Sequence, residues 1–264
     1  MNIAEKITRA KADIDAVYEG GKAKAFSEVE PINSELEQIL YGKDTGGRGF
    51  YDEFWDAFQQ NGTRTNYEEG FAGIGWTSNT FKPKYDIKPK TAYMIFRDTN
   101  SVNARIDLVD LCDRLGINVD FSKTTNLRYG FYNSGFNHLG IIDLSAITNA
   151  NDTTGAFNFC QAKTVDLLKL VATNGTYTST FTDWAQLENI TIAGTISCNG
   201  ASFKQSTNLT KESITSIVNA LSATTSGFTI TLSKTAVATA FGSTESAEWN
   251  ALISTKSNWT ISLV

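Results

Sequence analysis

One histidine, three cysteines and a few clustered carboxylates are the side chains of this 264-residue sequence whose types invite chemistry. A Ser/His/Asp triad would have to run through His138, and with no second histidine a His-rich metal site within the chain is excluded. Its setting, Gly135-Phe136-Asn137-His138-Leu139-Gly140, predicts a loop or turn histidine. Cys112, Cys160 and Cys198 are odd in number and unevenly spaced, which suits neither a disulfide framework nor a zinc site. They read as small buried apolar residues. Asp52, Glu53 and Asp56 could do acid/base work on glycosides only if held about 5–10 Å apart in a cleft. They lie opposite the aromatic stripe Phe50, Phe54, Trp55 and Phe58, which predicts a solvated helix face ending at Asn61-Gly62.

Two glycine-rich stretches invite a nucleotide reading and fail it. Around Gly42-Lys43 a phosphate loop would need Gly and Ser/Thr where Glu37 and Asp44 stand, and after Gly73-Ile74-Gly75 the third glycine of a dinucleotide fingerprint is Ser78. No catalytic residue, metal ligand or cofactor is therefore assigned, and the chain is not expected to be an enzyme. With 23 Lys+Arg against 28 Asp+Glu the net charge is −5, and no basic cluster is present to neutralise phosphates, so nucleic acid is not an expected partner. Apolar runs fall far short of the ~20 residues that span a bilayer, so no membrane insertion is expected. The start, Met1-Asn2-Ile3-Ala4-Glu5-Lys6, interleaves charges with no apolar run, so general secretion is not expected either. Charged residues make up 19% of the chain, leaving Thr, Asn, Ser and Gly to form a neutral surface rich in hydrogen-bonding groups.

The elements that must carry such a surface can be read from periodicity. Ile3, Ile7, Ala10, Ile14 and Val17 step by 4, 3, 4 and 3, an a/d seam on a helix ending at Gly20-Gly21 that could serve oligomerisation or pack on its own domain. Ser34-Glu35-Leu36-Glu37 is a capping box opening a short second helix. Residues 67–85, with Phe71, Trp76, Phe81 and Tyr85 among Gly, Asn and Thr, predict ordered coil pinned by aromatics.

Beyond residue 90 a triplet recurs, one polar residue between two apolar ones. The instances are Ile106-Asp107-Leu108, Val119-Asp120-Phe121, Ile142-Asp143-Leu144, Leu168-Lys169-Leu170, Ile190-Thr191-Ile192, Ile230-Thr231-Leu232 and Ile261-Ser262-Leu263. The middle steps are 23, 26 and 22 residues, and Phe96, Phe131, Phe157 and Phe181 stand upstream as anchors. One short strand per twenty-odd residues is the pattern of a solenoid, because a lone strand cannot bury its apolar face while stacked copies share a core. Strand alternation then turns Asp107, Asp120, Asp143, Lys169, Thr191, Thr231 and Ser262 outward as one polar ladder. Its uncharged donors and acceptors suit neutral glycans. Ile214, Ile217, Val218 and Leu221 predict a helix, followed by strand Phe228–Leu232, a helix near residues 246–253 and strand Trp259–Leu263, the make-up of a terminal cap.

Phe54-Trp55-Asp56-Ala57-Phe58-Gln59-Gln60-Asn61-Gly62, Phe71-Ala72-Gly73 with Gly75-Trp76-Thr77, and Lys82-Pro83-Lys84-Tyr85-Asp86-Ile87 resemble leucine-rich-repeat-like proteins of the BspA type. The resemblance is closer still to a group encoded beside tail genes of phages and prophages of gut-dwelling Gram-positive bacteria. Leu209-Thr210-Lys211-Glu212-Ser213-Ile214, Asn219-Ala220-Leu221-Ser222 and Trp259-Thr260 resemble that group too, so the likeness covers nearly the whole chain. It implies an α/β repeat solenoid of leucine-rich-repeat-like class with a parallel sheet. The organisation expected is an N-terminal helical attachment segment over 1–49, an aromatic-rich helix and coil over 50–90, repeats over 91–208 and a helix-strand cap over 209–264. It also implies a non-enzymatic virion component working in host-surface recognition or tail assembly, assembled in the host cytoplasm. Expected partners are other tail proteins, a host cell-surface glycan or protein, and further copies of the chain, three by resemblance. A bacterial cell-surface adhesin is the alternative.

Overall fold

A computed structural model describes residues 5, 6, 8, 9, 50–72, 83–99, 106–171 and 173–264. The seam residues Ile3, Ile7, Ala10, Ile14 and Val17, the capping box at 34–37, the loop at 42–49 and Gly73 to Ser78 lie outside them, as do the side chains of Asp52, Glu53 and Asp56. The chain divides into two compact units, Met1–Thr63 with Ser78–Tyr85, and Arg64–Thr77 with Asp86–Val264.

In the first unit, helix α1 (Phe50–Gln59) runs into a single 3₁₀ turn, Gln60–Gly62. Trp55 and Gln59 are fully buried, and the Gln59 amide is satisfied at both ends. Its Nε2 donates to the Tyr85 carbonyl at 2.7 Å while Oε1 accepts from the Lys84 N–H at 2.7 Å, pinning the aromatic-rich coil to the helix.

The second unit is built from layers that repeat two kinds of position. At one, short turns stack by main-chain hydrogen bonds. Phe71 N–H donates to Ile95 O (2.9 Å), Phe96 to Gly130 O (2.7 Å), Phe131 to Ala156 O (2.8 Å) and Phe157 to Thr180 O (3.2 Å). Inside these turns Phe71, Phe96, Phe131, Phe157, Phe181 and Phe203 form one buried column with centroid steps of 5.1, 5.4, 5.6, 5.7 and 4.7 Å. Offset-stacked rings at such distances bury large apolar areas in register, so the phenylalanines set the layer spacing.

At the other position the chain forms strands β1 (Ile106–Asp107), β2 (Phe136–Leu144), β3 (Thr164–Leu170) and β4 (Asn189–Gly194), a parallel sheet in chain order. Helix α2 (Leu108–Leu115) follows β1 directly. The C-terminal elements are β5 (Ala201–Phe203), α3 (Lys211–Asn219), β6 (Phe228–Leu232), α4 (Lys234–Phe241), α5 (Ala247–Ser254) and β7 (Trp259–Leu263). Strands β5, β6 and β7 form a second parallel sheet.

The expected leucine-rich-repeat-like α/β repeat solenoid, with one parallel sheet running through all seven triplets, is thus not what the chain forms. Among the described residues there are two sheets, of four and three strands; the first triplet is cut short after Ile106–Asp107 and one triplet belongs to neither sheet. Leu108 starts α2 because the Asp107 carboxylate caps the helix, accepting from Val109 and Asp110 N–H at 3.0 Å each. Val119-Asp120-Phe121 contributes only the single bridge Val119 to Ile87. The first sheet stops at β4 because α3 covers its edge: the Ser213 and Ser216 hydroxyls accept the N–H groups of Ile190 (2.9 Å) and Ile192 (2.8 Å). The second sheet grows from the turn position instead, since Phe203 of β5 is the last ring of the aromatic column.

Candidate functional site

The outer face of the four-stranded sheet gathers most of the polar side chains that could act together. In β2 the buried residues are Phe136, Leu139, Ile142 and Leu144, so the strand does not simply alternate. In β3 they are Val165, Leu168 and Leu170. Both strands carry an extra residue at matching places, Gly140 and Ile141 between Leu139 and Ile142 and Asp166 and Leu167 between Val165 and Leu168, and β2 has a second such pair in Asn137 and His138. Ile141 pairs with Leu167, so β2 and β3 carry the irregularity together, and it appears as a register shift against β4.

Thr164 stands opposite His138, and Asp166, two residues on, shares its face by plain alternation. The imidazole bridges three strands, with Nδ1 3.2 Å from Asp107 Oδ2 on β1 and Nε2 2.8 Å from Asp166 Oδ1 on β3. Facing carboxylates at both nitrogens favour the imidazolium, which can donate twice. Partial burial opposes the charge, but the hydrogen bonds to Asp166 and Asp107 outweigh it and hold the pKa above the usual histidine value. One layer position further on, Asp143 and Lys169 pair in register, with Nζ 2.8 Å from Oδ2, while Asp143 Oδ1 accepts from Ser145 N–H at 3.0 Å. Burial works against the Asp143 anion, yet Lys169 and Ser145 together hold its carboxyl below the ordinary carboxylate value.

Beside this face, between α2 and strands β2 and β3, lies a groove of about 280 Å³ floored by Leu108, Val109, Ile141 and Ile142 and edged by Asp113 and Asp166. Gly140 makes the helix fit, since a Cβ there would come within 2.8 Å of a Val109 methyl. Cys112 also lines the groove, but burial pushes its thiol up to about 11, as it does that of Cys160. Neither is a thiolate at neutral pH. All three cysteines are buried, and none is in a disulfide.

The outward ladder read from the sequence is therefore partly assembled. Asp107 joins His138, Asp143 joins Lys169, and Thr191 is exposed on β4. Asp120 stands outside both sheets with its Oδ1 accepting from Ser122 N–H at 2.8 Å, and Thr231 belongs to the other sheet, paired with Ser202 and Ser262. His138 is in a strand, not in a turn. Sequence reasoning passed over His138 and Asp166 as partners because the triplet rule counts one outward residue per strand. Their separation of 28 residues, close to the 26 between Asp143 and Lys169, was the available signal. Among the described residues no group of three or more His, Cys, Asp or Glu side chains could hold a metal ion, and no helix is long and apolar enough to cross a membrane. Comparison with known proteins gives no match to a family model, a curated protein or a solved structure.

Proposed function

We propose that the protein is a non-enzymatic component of a phage virion, part of a tail, baseplate or fibre, that serves host-surface recognition or tail assembly. The observation that supports this reading is the cross-braced outer face of the four-stranded sheet. Asp107, His138 and Asp166 tie three strands together and Asp143 with Lys169 ties two. Side chains already held this way lose little freedom when a partner docks, which favours binding by a rigid polar surface. Both nitrogens of the single histidine face carboxylates, so its role in this arrangement is that of a brace. The virion context comes from the likeness of residues 54–62, 71–77, 82–87 and 209–222 to prophage tail-associated proteins. Partners on this reading are other tail proteins and a glycan or protein of the host surface, with the N-terminal segment joining copies of the chain, three by resemblance.

Mass spectrometry of phage particles purified from a strain carrying the gene tests it, together with immunogold labelling of those particles. The expected result is the chain in the particle, with label on the tail and reduced adsorption to host cells when antibody is bound. Its absence from particles, or its presence on the wall of uninduced cells, would overturn the reading in favour of a surface adhesin.

A further inference from the structure

Away from the sheet face, four part-exposed aromatic rings stand in a row on the stacked turns: Tyr93, Tyr129, Tyr132 and Phe159. Their centroids step by 6.4, 5.8 and 5.4 Å, and each ring is turned by 69°, 82° and 82° against the one before. Three successive layers supply them, so the row is fixed by the same main-chain bonds that stack the turns. Tyr129 N–H donates to Thr154 O at 3.0 Å, Asn133 N–H to Asn158 O at 2.9 Å and Phe159 N–H to Asp183 O at 3.0 Å.

Planar polar groups border the row. The Arg97 guanidinium lies 5.6 Å from the centre of the Tyr132 ring, and its Nε donates to Asp98 Oδ2 at 3.0 Å. Asn133 Nδ2 donates to the other Asp98 oxygen at 2.9 Å. Donors and acceptors are thus held in fixed planes next to the ring row.

The turns themselves impose a positive φ at these positions, since Glu69, Met94, Asp98 and Asn133 share it. Tyr129 and Phe159 have φ of +54° and +58°, the left-handed region that bulky side chains avoid. In the next layer, the position of Tyr129 is taken by Gly155, whose φ is +64° and whose missing Cβ leaves room for the Tyr129 ring, 2.5 Å from where that atom would be. Phe159 is 48% exposed, so its ring returns little burial for the conformation its backbone adopts.

We propose that this row is a carbohydrate-binding platform for a neutral, β-linked, gluco-configured oligosaccharide. The all-equatorial pyranose leaves both ring faces as apolar C–H surfaces, which pack on aromatic faces, while its neighbouring hydroxyls pair with planar carboxylate, amide and guanidinium groups. The Asp98 carboxylate at the border and a net charge of −5 disfavour an anionic polysaccharide. Aromatic and arginine side chains also suit a protein partner, the reading that an absence of binding to either hexasaccharide would favour. This site is distinct from the sheet face and does not depend on the virion reading.

The test is calorimetric titration of the full-length protein with chitohexaose and with cellohexaose, for the wild type and for Tyr132→Ala, Phe159→Gly and a control, Glu245→Gln, at an exposed residue between α4 and α5. The wild type is expected to bind at least one of the two. Removing a ring should weaken binding on the order of tenfold, the scale of one aromatic stacking contact, and Glu245→Gln should leave it unchanged. Phe159→Gly decides the matter if Tyr132→Ala melts early, because glycine suits the positive φ and the folded state is retained. No binding of either hexasaccharide by the wild type, equal binding by Phe159→Gly, or an equal loss in Glu245→Gln would overturn the proposal.

Discussion

The hydroxyl of Ser213 accepts the N–H of Ile190 at 2.9 Å, so a helix residue occupies the place that a fifth strand would take beside β4. The same hydroxyl lies 3.2 Å from the Glu188 carbonyl, to which it donates. One buried serine thus satisfies strand groups on both sides of the β4 entry and ends the sheet.

Ser213→Ala should therefore leave the Ile190 amide buried without a partner. A loss of about 1–3 kcal/mol is expected, the cost of one unsatisfied buried donor, with a smaller loss for Ser216→Ala, whose hydroxyl is less buried. Urea unfolding followed by circular dichroism measures both. Equal stability of Ser213→Ala and wild type would mean that water or a shifted carbonyl takes over the bond.

The histidine bracket makes stability depend on pH in a definite direction. Because the folded pKa of His138 is raised, its contribution is fully present below the unfolded value of about 6.5 and is lost as pH rises through the folded pKa. His138→Gln should accordingly lose most relative to wild type at acidic pH and least at alkaline pH. As the only histidine, His138 gives a single imidazole resonance, whose titration midpoint should lie above about 6.5. A midpoint at or below that value would show that Asp107 and Asp166 do not hold the proton.

Charge placed on the buried side of the strands should be far more damaging than a change on the exposed side. Ile142 and Ile190 are 1% and 3% exposed, and either Ile→Asp substitution puts an unpaired carboxylate in the core, which is expected to unfold the domain. Thr191→Ala, at an exposed position of β4, should change stability by at most about 0.5 kcal/mol. Thermal melts compare them. Similar effects from the two kinds of change would mean that the strand faces are inverted.

The thiols should be silent in the folded protein. Cys112, Cys160 and Cys198 are buried and outside any disulfide, and burial raises the pKa of each. Reaction with a disulfide reagent should follow unfolding, with all three titrating together once denaturant is added. A fast-reacting thiol in the native state would place that cysteine at the surface.

Several elements are legible from local sequence, for local reasons. Triplets such as Ile142-Asp143-Leu144 and Ile190-Thr191-Ile192 lie in β2 and β4 because a period of two suits only a strand with one buried face. Ile214, Ile217 and Val218 line the buried side of α3 because their spacing matches a helix turn. Helix α2 is less legible. Asp107 reads as the outward centre of a strand triplet, and only its cap bonds to Val109 and Asp110 show that the strand ends there. Strand β5 is three residues long and fully buried, too short for any period.

What the sequence by itself determined is which residues are apolar on one side of a short segment and how far apart such segments lie, since both depend on neighbours within one or two turns of chain. Only the tertiary structure decided which segments pair. β4 has the pattern to accept another strand and receives the serines of α3, while β5 leaves the turn position to begin a second sheet at Phe203. The meeting of His138 with Asp166, 28 residues away, likewise depends on the register that sets His138 opposite Thr164, and the extra outward residues of β2 and β3 turn that pair to the same face as Asp143 and Lys169. Hydrogen-bond partners across a sheet are chosen by the packing of whole layers, and alternation along one strand carries no record of that choice.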